Sequence, residues 1–263
     1  MATIKRSPLA ALHAFFSTFS SAIFSVGLLI GSATVQAESE PAQWAVSAEL
    51  SSTGIGADVI YGFTPKLQLR SGINAFSVSR DYTANDGNDI PDDEVDYQGD
   101  LDLLTVGSVL DWYPSGKHFR LSAGLFYNGN EFKGNGRCES ATGNCEFGDS
   151  TFNSALLGTV NAEVTFNRVA PYLGIGYGNP LQRAGWGVTG DVGILVQGKP
   201  NAKLFATGGC NVVDDDPTGL FVSQQACLDI RDAEIADEEE KLQDTLDRFQ
   251  VYPVVNLGVS YRF

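Results

Sequence analysis

Eight charged side chains stand on the polar side of alternating segments in this 263-residue chain, five of them acids and three arginines. Buried charges are tolerated mainly when they are paired, so acids and arginines that share an interior predict ion pairs across it. The surplus of acids favours small cations. We keep two roles open for this polar network, a narrow cation-preferring path and a set of pairs that only fills the interior. The eight residues are Glu49, Asp58, Arg70, Asp111, Arg120, Glu163, Asp191 and Arg262.

The segments that carry these charges have a period of two, which is typical of β-strands. In residues 255–263 the odd positions are apolar, and Asn256, Gly258, Ser260 and Arg262 lie between them. The polar side is rich in glycine, which suits a crowded barrel interior better than a solvated surface. We therefore predict an all-β transmembrane antiparallel barrel, with its apolar side toward lipid and its polar side toward the lumen. A periplasmic β-sandwich is the alternative.

Eight strands are predicted, because a closed barrel with both termini on one side needs an even number. The apolar side is even-numbered from Val160 to Phe166 but odd-numbered from Leu173 to Tyr177. Either a bulge resets the phase near 167–171, or a turn lies there and the barrel has ten strands, with 202–207 as an extra one. The predicted strands are about 43–51, 54–63, 67–79, 101–113, 118–130, 154–178, 185–198 and 251–263, with extracellular loops at about 80–100, 131–153 and 199–250.

Aromatic residues gather at the predicted periplasmic edge of this barrel, as they do in the interfacial belts of membrane proteins. A C-terminal aromatic on the lipid side, here Tyr261 and Phe263, resembles the signal by which outer-membrane barrels reach their assembly machinery. We expect that machinery and outer-membrane lipid as partners, and a monomeric barrel. The predicted belt contains Trp44, Tyr61, Phe63, Trp112, Tyr113, Phe119, Tyr177, Trp186, Tyr261 and Phe263.

The N-terminal 37 residues have the pattern of a secretory signal peptide. Lys5 and Arg6 precede an apolar stretch at 22–30, and small Ala37 ends the segment. An uncleaved anchor is the alternative. The barrel with its loops would then occupy 38–263, in the bacterial outer membrane after export.

Acidic residues dominate the chain, which has a net charge of −15. This excludes a nucleic-acid partner, because phosphate recognition needs a basic face. Of the 32 acids, nine lie in 81–102 and twelve in 214–247. These loops either concentrate cations or simply keep the surface solvated. The stretch 85–89 lacks the ligand spacing of a calcium loop, so no metal site and no cofactor are predicted.

Four cysteines lie in two of the predicted loops, which in an exported chain indicates disulfides. The local pairs Cys138–Cys145 and Cys210–Cys227 are favoured among three connectivities. Residues 225–249 have a helical pattern, with Leu228, Ile235, Leu242 and Phe249 seven residues apart. We expect this helix to rest on the barrel rim or on another loop rather than to contact a partner.

Catalytic residues are not predicted. The mature chain has one histidine, His118, and it lies in a predicted periplasmic turn. A histidine there is too far from the outer face to serve a hydrolase of the kind found among small outer-membrane barrels. We therefore expect a protein that is not an enzyme.

Short ordered blocks of the chain resemble CarO-type outer-membrane proteins. They include STGIG at 52–56, LSAG at 121–124, APYLGIGY at 170–177 and GWGV at 185–188. The similarity runs through nearly the whole mature chain. It implies an eight-stranded barrel with a sizeable extracellular part, uptake of small basic solutes such as ornithine, and a link to carbapenem susceptibility. The four loop cysteines depart from that family's pattern.

Overall fold

The computed structural model describes residues 44–85, 93–140, 144–147, 150–153, 158–209 and 224–263. The predicted signal peptide lies outside these ranges. The elements are β1 (Trp44–Ser51), β2 (Gly54–Thr64), β3 (Leu67–Asn85), β4 (Asp93–Trp112), β5 (Phe119–Asn128), β6 (Glu131–Ser140), β7 (Asn144–Phe147), β8 (Ser150–Asn153), β9 (Thr159–Thr165), β10 (Val169–Tyr177), β11 (Gly185–Val196), β12 (Asn201–Ala206), α1 (Gln224–Leu246) and β13 (Val251–Arg262).

Eight of these strands close into an antiparallel barrel. The order around the ring is β1, β2, β3, β4, β5, β10, β11 and β13. β1 and β13 close it, with Ala45 opposite Arg262 and Ser51 opposite Asn256. The predicted eight-stranded barrel is therefore confirmed. We call the end near Trp44 and Phe263 the terminal end of the barrel.

The barrel has its apolar side outside and its polar side inside. Ile55 is 66% exposed, whereas Glu49 and Asp58 on the same strand pair are less than a tenth exposed. A water-soluble sandwich would bury the apolar side, because that burial drives its folding. The observed arrangement is the inverse, so the sandwich alternative is wrong.

A second sheet branches from β4 at the opposite end of the barrel. The Thr105–Trp112 half of β4 pairs with β5, and the Asp93–Asp102 half pairs with β6. β6 continues to β9, and β9 to β12. We call β6, β9, β12 and the Asp93–Asp102 half of β4 the branch sheet. Much of what the sequence predicted as loops at 80–100, 131–153 and 199–250 is therefore strand and helix.

The phase change in the predicted sixth strand has a simple cause. β9 ends at Thr165 and β10 begins at Val169, so one predicted strand is two. β9 belongs to the branch sheet, and β10 belongs to the ring. The bulge alternative is wrong, because one strand ends and another begins there. The other alternative is right about this break and about an extra strand near 202–207, but that strand pairs with β9 rather than widening the barrel to ten strands.

Helix α1 covers one face of the branch sheet. Ile235, Leu242 and Leu246 pack there against a buried cluster formed by Phe132, Val164, Ala202 and Leu204. The helix also covers the free edge of β12: the Ala202 amide donates to Gln243 Oε1 (3.0 Å) and the Leu204 amide to Glu239 Oε2 (2.8 Å). The predicted helix is confirmed, and it rests on the branch. No helix in the described ranges is both long and apolar enough to cross a membrane.

Candidate functional site

Two arginines and four carboxylates meet in the middle of the barrel interior. Arg70 stands on β3 and Arg120 on β5, and both are at most 9% exposed. Strand alternation directs them inward, because their neighbours Leu69 and Leu121 stand on the opposite side of the sheet. The four carboxylates are those of Glu49, Asp58, Asp111 and Asp191.

Arg120 is held tightly from two sides. Its Nη2 and Nε lie 2.6 and 3.1 Å from the two carboxylate oxygens of Asp191. Its Nη1 donates to the carbonyl oxygen of Gly178 at 2.6 Å. Paired, charge-assisted bonds of this kind fix geometry as well as charge. Arg120 therefore anchors β5 to β10 and β11.

Arg70 has four partners, all of them carboxylates, and they are farther away than the nearest partners of Arg120. Its Nε lies 3.2 Å from Asp111 Oδ2, and its Nη1 lies 3.4 Å from Asp191 Oδ2. The same Nη1 is 3.8 Å from Glu49 Oε2 and from Asp58 Oδ2. Four acids thus surround one guanidinium, and two of them have no direct hydrogen bond to it.

Inward glycines leave the space that these charged side chains occupy. A Cβ at Gly176 would overlap the Asp191 carboxylate and come within 2.7 Å of Arg120 Nε. A Cβ at Gly72 would overlap the Asp58 carboxylate in the same way. The glycines on the polar side of the strands therefore make the room that the charged side chains need inside the barrel.

A narrow recess leads from the branch end of the barrel toward Arg70. Its volume is about 30 Å³, room for roughly one or two water molecules. Glu49 and Asp58 line it, and Asn256 Nδ2 donates to Glu49 Oε2. Asn74, Thr105 and Asn256 also line it, and each has a buried side-chain oxygen that accepts no hydrogen bond from any group in the described ranges.

The other side of the recess is lined by an apolar cluster. Tyr172 lies across the facing Gly174 and Gly193, where a Cβ would overlap its ring. The sequence prediction placed only polar side chains inside, and it missed this cluster. The sequence feature that could have revealed the cluster is Tyr172, an aromatic residue on the polar side of a glycine-rich strand. The cluster comprises Val109, Ala170, Tyr172, Leu195 and Val254, with Phe126 and Tyr252 packed against it.

The terminal end is closed by the turn between β10 and β11. Leu181 of this turn packs against Ala45 and Ile60 inside the ring. Arg262 Nη1 donates to the Leu181 carbonyl oxygen at 2.7 Å. Arg262, predicted to face the lumen, thus points inward and holds the turn.

Tyr113 also lies inside the barrel, so its predicted place in the aromatic belt is wrong. It is fully buried, and its hydroxyl donates to the Gly178 carbonyl oxygen at 3.3 Å. The preceding Trp112 is 50% exposed, and consecutive strand residues point to opposite sides. Trp44, Phe63, Tyr177, Trp186 and Phe263 are at least half exposed, as predicted.

Seven of the eight predicted lumen residues are buried inside the ring, and Glu163 is not. It lies on β9 in the branch sheet, half-buried, opposite Lys133 and Lys203 in the strand register. Its prediction is wrong because the predicted sixth strand is two strands, of which only β10 enters the barrel.

The other predicted sites have mixed outcomes. Tyr261 and Phe263 point outward on the last strand, 37% and 69% exposed, and their role in assembly stays a prediction. Cys227 is buried on α1 and is not a free thiol. The side chains of Cys138, Cys145 and Cys210 lie outside the described ones, so the pairing stays a prediction.

His118, on which the sequence argument about catalysis rests, lies just before β5. The ring of His118 lies beside that of Tyr177, with centroids 5.4 Å apart. No group of three or more histidine, cysteine or acidic side chains there could hold a metal ion.

Two solved structures are similar to this chain. The crystal structure of Acinetobacter baumannii CarO2 matches with a TM-score of 0.50 and 21% identity, over 86% of this chain and 100% of that chain. That of A. baumannii CarO matches with a TM-score of 0.44 and 22% identity, over 84% and 98%. No family model and no curated protein matches the sequence. The CarO2 similarity confirms the predicted resemblance at the level of the fold.

Proposed function

We propose that this protein is an outer-membrane barrel that gives slow passage to small cationic solutes, of which basic amino acids are the expected class. The observation that carries the proposal is the surplus of interior carboxylates. Four of them surround two arginines, and Glu49 and Asp58 line the recess that leads inward. A cation entering the recess therefore meets two carboxylates to which Arg70 makes no direct hydrogen bond.

The exterior of the barrel supports a membrane location. On β4 the outward residues are apolar or small from Trp112 to Leu104, and the next outward residue is Asp102. Eight rises of about 3.4 Å at a tilt of about 40° span roughly 20 Å, close to the apolar band of outer-membrane barrels. The branch sheet and α1 would then lie outside the cell.

Passage would be slow because the interior is filled. Below the recess, the Arg120–Asp191 pair and Tyr113 occupy the axis, and Leu181 closes the terminal end. A solute would cross only when Arg70, the groups on the axis below it and the turn at 178–184 all move aside. Small barrels of eight strands have little interior space beyond that of their own side chains.

Uptake into liposomes tests the proposal. We expect arginine to enter faster than glycine or glutamate through the refolded protein, and Glu49→Gln or Asp58→Asn to reduce this preference. Glu163→Gln is the matched control, because it removes one negative charge outside the ring. Equal reduction by all three variants would assign the preference to total charge instead of the recess.

A second candidate function is a surface contact made by the branch sheet. It is favoured by one observation: this part has its own buried core, in which α1 packs on β6, β9 and β12. A folded protein that passes no solute, together with altered adhesion or envelope integrity after removal of 199–250, would favour this second function.

A further inference from the structure

We propose that the guanidinium of Arg70 fills a cation-binding site formed by the carboxylates around it. A cationic solute then binds at this site only by displacing that guanidinium. This inference rests on the proposed function, since it names what controls entry at the same recess.

The contacts of the two central arginines show which one can be displaced. Arg120 makes three contacts between 2.6 and 3.1 Å and two longer ones, to Tyr113 Oη at 3.5 Å and Asp111 Oδ1 at 3.8 Å, and it is 1% exposed. Arg70 makes four contacts between 3.2 and 3.8 Å, is 9% exposed and lines the recess. Long, shared contacts cost less to give up than short bidentate ones. Arg70 is therefore the mobile cation and Arg120 the fixed one.

The lining of the recess shows what the displacing group would be. Besides Glu49 and Asp58, three neutral residues line the recess, Asn74, Thr105 and Asn256, and each has a buried side-chain oxygen. The three residues are at least nine-tenths buried, and no described group donates to these oxygens. Buried acceptors without donors are costly. A cation with several N–H groups, a guanidinium or an ammonium, would satisfy acids and neutral oxygens together.

Removing the side chain of Arg70 should leave this site vacant. Its four acidic partners would then face a cavity of guanidinium shape that is continuous with the recess. Free guanidinium can enter such a cavity and make the same charge-assisted bonds. The barrel variant should therefore bind a cation that the wild-type barrel excludes.

Thermal unfolding of the full-length mature protein in detergent tests this. For Arg70→Ala, millimolar guanidinium chloride should raise the midpoint temperature saturably, by about 3–5 °C at ten times its dissociation constant. Sodium chloride at equal ionic strength should not. The wild type and Gln68→Ala should not respond, because Gln68→Ala truncates a buried neighbour on the same strand but keeps the Arg70 guanidinium among its carboxylates.

The proposal is overturned if folded Arg70→Ala responds equally to guanidinium and sodium. Should Arg70→Ala not refold unaided, its refolding yield is the measurement, with Arg70→Gln as a second variant. Recovery by millimolar guanidinium supports the site, and no recovery of either variant overturns it. A wild type that passes no arginine while Arg70→Ala binds guanidinium would refute the proposed passage but leave this inference intact.

Discussion

Replacement of Gly176 by alanine should destabilise the barrel through its central ion pair. A Cβ at this position would overlap the Asp191 carboxylate and lie 2.7 Å from Arg120 Nε, so the two charged groups must separate. Breaking a buried ion pair costs about 3–5 kcal/mol. The gain from replacing a strand glycine is only about 0.5–1 kcal/mol. The net expected loss is therefore roughly 2–4 kcal/mol.

Gly190→Ala is the matched control for this prediction. Gly190 lies on the neighbouring strand, opposite Tyr177, and faces outward. A Cβ there would meet Leu257 at 3.4 Å and the Asn256 carbonyl oxygen at 3.7 Å, which are ordinary contacts. The same chemical change should thus be neutral or stabilising by up to about 1 kcal/mol.

Urea unfolding in detergent micelles or vesicles measures both variants. Tryptophan fluorescence is a suitable signal, because Trp44, Trp112 and Trp186 all stand on the exposed outer side. The unfolding midpoint should fall for Gly176→Ala and should stay or rise for Gly190→Ala. Equal midpoints for the two variants would refute the reasoning that inward glycines make room for the charges.

Three further predictions concern the branch sheet and its helix. Replacing Glu239 and Gln243 together by alanine should uncover two edge amides of β12. Because an open strand edge is a template for pairing, the variant should form dimers whose share rises with concentration in sedimentation velocity. A monomer at all concentrations would contradict this. A hydrogen bond from Lys199 lowers the pKa of Asp247 below its ordinary value of 3.8, so this contact should hold above that value and be lost as the pH falls through the lowered pKa. Amide protection factors at the end of α1, corrected for the intrinsic exchange rate at each pH, should then fall in acid, and unchanged protection would count against it. Peptide mapping without reductant should find the four cysteines paired locally within their own segments, and a bond between the two segments would disprove that pairing.

The side to which each strand residue points was readable from the sequence, because the period of two is a local property. It correctly directed Asp58, Asp111 and Asp191 inward. The pairing of strands, in contrast, depends on residues far apart in the sequence. The sequence therefore did not reveal that one half of β4 pairs with β5 and the other half with β6. For the same reason Glu163 was assigned to the barrel, although only its sequence neighbour β10 lies there.

The two buried tyrosines mark another limit of the sequence interpretation. Aromatic residues were expected outside, at the membrane edge. Tyr113 and Tyr172 lie inside because neighbouring strands offer them space and partners: Gly178 accepts a hydrogen bond from one, and Gly174 with Gly193 makes room for the other. Such space is created by paired glycines on different strands, so it becomes visible only when the strand register is known.

The central claim is that the recess carboxylates give the barrel a preference for cations. The most direct test is the ratio of arginine to glutamate uptake by liposomes that contain the wild type or the Glu49→Gln/Asp58→Asn double variant. We expect a ratio of about ten or more for the wild type and a ratio near that of empty liposomes for the variant. The same ratio in both, with both barrels folded, would contradict the claim.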